Sequence, residues 1–354
     1  MPFPRLPRRA WLQLGLVTAS GLVFPAVAQS PGGSLTRRAT ALLARLDDPA
    51  LVRILLAVTD RWRDDWHYTP RRRPGLTLGE MDDGQRGALW ALLEVALSQQ
   101  GLVKAKEVIE TEAILADITG NRRFRDPDNY ALVFFGDPRR GPSWTMRFEG
   151  HHLSLTFGVV DDVLVDFSPA FYGANPAVAP PRHPKAGFQA LEAERSLGFE
   201  LINRLAPELR DRAILAERSL GNIVAGPGRE DALRQRQGVA VGALDPTNRE
   251  LARQLLGVYL DNAQAPWVQR QRDAIAQVGF DNFYFAWAGS RTPDAPHYYR
   301  LHGPGLLIEY DNTQNGANHI HSVLHQLRQG AFDPLAAHYH RDHGVGDTRG
   351  RRHG

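Results

Sequence analysis

Histidines are concentrated near the end of this sequence, and two of them are spaced so that their side chains could bind one metal ion. Nine of the 13 histidines lie in the range His297–His353. His319 and His321 are separated by one residue, and imidazole nitrogens are common ligands of zinc, iron and copper. Glu309 and Asp311 have the same spacing in the preceding segment, and carboxylates can complete such a ligand set. The pattern therefore predicts a site for a divalent transition metal.

Two predicted strands would position these side chains. Apolar residues alternate with polar ones, or follow one another, in two segments, Leu306–Asp311 and His319–Leu324, as is typical of strands. The dipeptide Asn315-Gly316 between them strongly favours a hairpin. Successive side chains of a strand point to opposite faces, so residues two apart share a face. With the right register, the two imidazoles would meet one or both carboxylates. We expect His319, His321 and Glu309 to be metal ligands.

Three further residues could complete this site. His338 lies on a predicted closing helix, Leu335–His343, and could supply another ligand. Asp311 and His151 would be catalytic residues that complete the ligand set or relay protons. His151 precedes His152 on a predicted long central strand, so only one of these two histidines can face a given site.

The residues leave the function open between several classes. The leading hypothesis is a metal-dependent enzyme, a hydrolase or an oxidoreductase, that acts on a small molecule. A hydrolase would use the metal to lower the pKa of bound water toward about 7. A periplasmic ligand-binding protein without catalysis, or a purely structural polar cluster, would use the same residues for hydrogen bonds.

Composition and missing motifs exclude other classes. The chain has no cysteine, which excludes disulfides and thiolate chemistry, and only three methionines, which disfavours a Cu(I) carrier. We find no nucleophile elbow, phosphate-binding loop, His-Glu-x-x-His or dinucleotide fingerprint. The formal charge of +3 becomes 3 − 3 = 0 without Arg5, Arg8 and Arg9, so we expect no nucleic-acid partner. The Arg71–Arg73 run is interpreted as solvated surface.

The first 28 residues are typical of a cleaved signal peptide. Arg8 and Arg9 resemble a twin-arginine motif, and Trp11–Phe24 is apolar but too short to span a membrane, which takes about 20 residues. Ala26–Ala28 is a small-x-small cleavage site, so the mature chain should begin at Gln29. We expect a periplasmic or secreted protein with no membrane attachment after cleavage.

The remaining chain predicts one α+β domain over residues 29–343, with a mostly antiparallel sheet and helices packed around it. Residues 344–354 predict a disordered tail, and residues 219–246 a long loop. The predicted helices are 35–46, 51–66, 82–98, 103–118, 188–205, 207–215, 248–260, 266–278 and 335–343. The predicted strands are 130–135, 144–157, 163–167, 283–288, 298–302, 306–311 and 319–324.

Several segments in this order resemble the DUF3500 family, a domain of unknown function. They are Phe148–Leu155, Pro169–Pro176, Ala286–Ser290, Tyr299–Pro304, Leu307–Asn315, Ala317–His321 and Leu335–Tyr339. The segment Glu-Tyr-Asp-Asn-Thr-Gln followed by Asn-His-Ile-His is the most specific. The resemblance covers nearly all of the mature chain and implies one domain, but it implies no established activity.

Overall fold

A computed structural model describes residues 34–327 of the chain. The predicted signal peptide, the predicted closing helix with His338, and the predicted disordered tail lie outside the described residues. The helices are α1 Leu35–Leu43, α2 Asp48–Ile54, α3 Asp83–Ala96, α4 Gln99–Thr119, α5 Glu192–Arg204, α6 Pro207–Ala213, α7 Pro246–Leu260, α8 Ala265–Val278 and α9 Gln314–Ala317. The strands are β1 Leu55–Leu56, β2 Leu76–Thr77, β3 Ala131–Phe135, β4 Ser143–Gly150, β5 Leu153–Val160, β6 Val163–Asp166, β7 Ala170–Ala174, β8 Ile214–Ala216, β9 Val239–Ala240, β10 Tyr284–Gly289, β11 His297–Gly303, β12 Leu306–Asn312 and β13 Ile320–Gln326.

The predicted α+β class is confirmed, with one large, mostly antiparallel sheet. Within residues 34–327 the sheet has 13 strands, and its main order is β1-β3-β4-β5-β7-β13-β12-β11-β10-β8. The sequence did not predict β7, which joins the two predicted strand groups by pairing with β5 and with β13. This contact places the middle of the chain beside its end, and the candidate site lies there.

Two sequence predictions of elements are wrong. The helix predicted over 51–66 ends at Ile54, because Leu55 and Leu56 pair in parallel with β3. The long strand predicted over 144–157 is two strands, β4 and β5, which form a hairpin with His151 and His152 in its turn. Apolar residues on both sides of this turn made the segment look continuous, because both strands are buried.

The two faces of the sheet are covered differently. On one face, Tyr172 and Tyr299 contact Lys104 of α4 and Tyr259 of α7. This face and its helices form the main apolar core. The strands carry buried polar and charged side chains on the opposite face. The segments that cover this polar face determine which of its side chains are buried and which hydrogen bonds they form.

Two segments with little regular structure cover the polar face. Residues 57–75 reach Arg147 and Glu149 on β4 through backbone groups of Trp62, Arg63 and His67. Residues 217–238 meet the polar side chains of β11, β12 and β13. Because these segments cover the sheet by polar contacts, this face can hold ligand-type side chains away from bulk water.

No helix among residues 34–327 is long and apolar enough to cross a membrane.

Candidate functional site

Three histidine side chains converge at the junction of β5, β7 and β13. His152 and His319 approach within 2.8 Å at their Nε2 atoms, and His319 and His321 approach within 3.1 Å at the same atoms. The candidate ligand atoms of all three lie within 4.8 Å of one another. We call these three residues the histidine centre.

The β12–β13 connection positions His319 and His321. The predicted pairing of these strands is confirmed, and Asp311 lies opposite His321. The connection turns sharply through Asn315, Gly316 and Ala317, whose φ angles are 53°, 67° and 62°.

A side-chain contact then fixes the start of the second strand. Asn312 accepts a hydrogen bond from the His319 backbone N–H at 2.8 Å. The imidazoles of His319 and His321 therefore both point toward the β4–β5 turn.

His152 reaches the centre because it lies in a turn rather than in a strand. Its φ of 61° is left-handed, which is uncommon for a residue other than glycine. The turn is held from both sides, since the His152 N–H donates to Tyr68 and its carbonyl accepts from Gly173. A Cβ atom on Gly173 would lie 3.0 Å from His152 Cδ2 and 2.8 Å from the Ile320 carbonyl oxygen. A glycine is therefore required for the imidazole to pack here.

A side chain of the 217–238 segment sets the tautomer of His321. The Oδ1 atom of Asn222 lies 2.8 Å from His321 Nδ1 and also 2.8 Å from the N–H of Ile223. Because the backbone N–H can only donate, that Asn222 atom is an acceptor, and His321 Nδ1 must carry the proton. The lone pair of His321 is then on Nε2 and faces the other imidazoles. Metal-binding histidines are oriented in this way by a partner on the second nitrogen.

Burial keeps the three imidazoles neutral. Burial, together with a smaller effect of neighbouring histidines, lowers the pKa of His321 to about 3 and that of His319 to about 4. Burial also holds the pKa of His152 well below its usual range. The stacked rings of Tyr68 and Phe171, 4.2 Å apart, lie beside His321. Neutral imidazoles are the form that binds metals.

Three facing nitrogens form a poor hydrogen-bonding set but a good ligand set. His319 Nε2 faces both His152 Nε2 and His321 Nε2, and His321 Nε2 carries no proton. A single N–H on His319 Nε2 can donate to only one of these two nitrogens, so at least one of the two contacts is not a hydrogen bond. Zinc–nitrogen bonds of about 2.0–2.1 Å in a tetrahedron separate ligand nitrogens by about 3.3 Å. The two observed separations reach this value with outward shifts of a few tenths of an ångström. His319 is partly exposed, which leaves an open side toward solvent.

The structure places the predicted carboxylates on the same face as His321 but engages them elsewhere. Glu309 is fully buried, and its two oxygens accept from the N–H groups of Val224 and Ala225 at 2.8 Å and from the Tyr298 hydroxyl at 2.5 Å. Burial raises its pKa. Glu309 thus fastens the 217–238 segment to the sheet, and it is not in the group of ligand atoms that converge.

Asp311 has a similar position. Its carboxylate accepts from the hydroxyls of Ser219 and Thr313, and burial raises its pKa to about 6. His338 lies outside the described residues. Of the four metal ligands predicted from the sequence, the structure therefore brings together His319 and His321.

His151 lies next to the histidine centre with partners of its own. Its Nδ1 atom is 2.5 Å from a carboxylate oxygen of Glu112, a buried residue of α4. The Arg125 Nη1 atom lies 3.1 Å and 3.2 Å from the two ring nitrogens of His151. The ring packs on that of His152 with centroids 3.7 Å apart. Glu112, His151 and His152 form a second group whose ligand-type atoms lie within 4.8 Å of one another.

Sequence reasoning missed Asn222 and Glu112, and it chose His151 rather than His152 for the site. The dipeptide His151-His152 follows a glycine between two apolar runs, and a turn there would have released His152 from the alternation of a strand. Asn222 and Glu112 belong to a loop and a helix far away in sequence, so nothing in the local pattern connects them to histidines.

Comparison with known proteins gives one match. A family model described as "Protein of unknown function (DUF3500)" matches residues 28–333. No curated protein and no solved structure matches the chain. The match spans most of the sequence and includes the residues of the histidine centre, and the chain therefore belongs to the DUF3500 family.

Proposed function

We propose that this protein is a metal-dependent enzyme whose histidine centre binds one divalent transition metal and acts on a small molecule, most simply by hydrolysis. The observation that carries the proposal is the convergence of three neutral imidazoles, one with its tautomer set by Asn222. Three protein ligands with an open fourth position are characteristic of catalytic zinc sites, whereas structural zinc sites have four.

The donor set favours zinc among the candidate metals. All three donors are imidazole nitrogens, and the nearby carboxylates of Glu309 and Asp311 are committed to the 217–238 segment. A bound metal would supply Lewis acidity and an activated water. The protein's own residues keep three ligands unprotonated, orient His321 and shield the centre with Tyr68 and Phe171.

Metal content tests the proposal. The purified wild-type protein should hold one zinc ion per chain, measured by mass spectrometry after dialysis against trace chelator. His152→Ala, His319→Ala and His321→Ala should each lose it. His183→Ala is the matched control, because His183 lies on another loop and its ring accepts from the Lys185 N–H.

Thermal unfolding separates loss of metal from loss of fold. Added zinc should raise the Tm of the wild type and the control, since a ligand that binds only the native state stabilises it. It should leave the Tm of the three centre variants unchanged, while their Tm in EDTA stays close to that of the metal-free wild type. A wild-type protein without metal, whose Tm does not respond to zinc, would refute the proposal and favour a ligand-binding protein without catalysis.

We also propose that the protein is exported and acts in the periplasm or outside the cell. The support is the pattern of residues 1–28, with Arg8 and Arg9 ahead of a short apolar stretch. In a strain with both export routes, Arg8→Lys combined with Arg9→Lys should retain the precursor in the cytoplasm. Unchanged export would contradict the twin-arginine route.

A further inference from the structure

A cavity of about 510 Å³ is lined by five arginines. Among its described lining residues, Glu80 is the one acidic side chain. The arginines are Arg53, Arg71, Arg72, Arg73 and Arg123. We call this feature the arginine cavity.

Three of these guanidinium groups are neutralised within the protein. Arg53 pairs with Glu80, Arg71 with Asp65, and Arg73 with Glu149. The last pair has side chains only 4% and 5% exposed, so the interpretation of the whole Arg71–Arg73 run as solvated surface is wrong for Arg73. Arg73 is held by burial and by its partners.

The other two guanidinium groups carry uncompensated charge. Arg72 and Arg123 are exposed, and neither has a hydrogen bond or an ion pair with the residues that the structure describes. They come from separate loops and line the same cavity. Arginine donates several N–H groups in a planar fork that matches carboxylate and phosphate oxygens. The arginine cavity is therefore complementary to an oxyanion.

Two stretches of chain connect the arginine cavity to the histidine centre. Phe124 lines the cavity, and the next residue, Arg125, contacts the His151 ring. Arg73 donates from Nη2 to the carbonyl of Gly150 at 3.0 Å, immediately before the His151-His152 turn. An anionic group in the cavity would thus be anchored by the same loops that hold His152.

We propose that the arginine cavity binds a carboxylate or phosphate group of the substrate, whose reacting part then lies at the histidine centre. The substrate is accordingly an anionic small molecule. Arg72 and Arg123 determine this specificity by direct contact with the anion. This inference rests on the proposed function for the word substrate, whereas the anion site itself rests on the cavity alone.

Isothermal titration tests the anion site without metal, using the full-length mature protein after its metal has been stripped with EDTA and the chelator has been removed by dialysis. Inorganic phosphate and citrate are the two probes, and they distinguish phosphate from carboxylate recognition. The wild type should bind at least one of them saturably at one site per chain. Arg72→Gln combined with Arg123→Gln should weaken binding by about tenfold or more, because two charge-assisted contacts are lost.

The matched control is Arg37→Gln combined with Arg38→Gln. These two arginines are exposed on α1, and their side chains form no hydrogen bond or ion pair with the described residues. This control removes the same formal charge, so it should bind the anion as the wild type does. Equal weakening in both double variants would show a general charge effect and overturn the inference.

Two other outcomes are distinguished by measuring the metal content of each purified protein before its metal is stripped. A wild type that holds metal but binds neither anion with a Kd below about 10 mM would overturn the inference and leave the proposed function standing. A wild type that binds the anion through Arg72 and Arg123 but holds no metal would refute the proposed function and support the cavity as a binding site.

Discussion

At the scale of single residues, the chemistry of the centre depends on side chains that would not bind the metal themselves. Asn222 is the clearest case, because its oxygen accepts from both the Ile223 N–H and His321 Nδ1. It thereby keeps the His321 lone pair on the nitrogen that faces the other two imidazoles. A histidine free to take the other tautomer would bind metal less well.

Asn222→Ala should therefore lower zinc affinity by about tenfold to a hundredfold, the usual effect of removing such a partner. Asn222→Asp keeps the acceptor oxygen and should retain most of the affinity. Competition with a chromophoric chelator measures both. If the alanine variant binds zinc as tightly as the wild type, the assignment of the tautomer to Asn222 is incorrect.

At the scale of elements, the β4–β5 turn and strand β7 bring the third imidazole into place. His152 lies in a left-handed conformation in the turn, and its ring packs against the backbone of β7 at Gly173. The absence of a side chain at position 173 lets the turn pack close to Ile320, the first residue of β13. Any larger residue would displace the ring or the strand.

Gly173→Ala should consequently displace His152 and weaken zinc binding by about tenfold or more, with a loss of about 1–3 kcal/mol in the free energy of unfolding from overpacking. Gly141→Ala is the control, since a Cβ there meets no atom within 4 Å. Urea denaturation and chelator competition give the two quantities. Wild-type affinity in Gly173→Ala would show that His152 does not depend on this contact.

At the scale of the whole molecule, the polar face of the sheet is sealed by long segments rather than by helices. Glu309 holds the 217–238 segment through two backbone N–H groups and accepts from the Tyr298 hydroxyl. That segment also carries Asn222, so the covering of the sheet and the tautomer of His321 depend on one anchor. Loss of this anchor should affect both stability and the histidine centre.

Glu309→Ala should lower the free energy of unfolding by about 3–5 kcal/mol, because it leaves several buried donors without an acceptor at about 1–3 kcal/mol each. It should also increase protease cleavage within residues 217–238. Glu200→Ala is the control, because Glu200 is exposed on α5 and makes a weak ion pair. A stability change in Glu309→Ala no larger than that of the control would contradict the anchoring role.

The sequence alone determined the elements whose pattern is local. Amphipathic spacing predicted α3, α4, α7 and α8 close to their observed bounds, because each buries one face on the core. Alternation and the Asn315-Gly316 turn predicted the pairing of β12 with β13, and with it the shared face of His321 and Asp311. These features depend on residues that are near one another in the chain.

Only the tertiary structure decided which side chains meet. The pairing of β7 with β13 joins positions about 150 residues apart and places His152 beside His319. Glu309 lies on the same face of the sheet as His321, but its carboxylate accepts hydrogen bonds from backbone N–H groups of a loop that is distant in sequence. A buried carboxylate is stable only when hydrogen-bond donors surround it, and here the loop supplies them. Strand alternation specifies a face, and long-range packing selects the partners on that face.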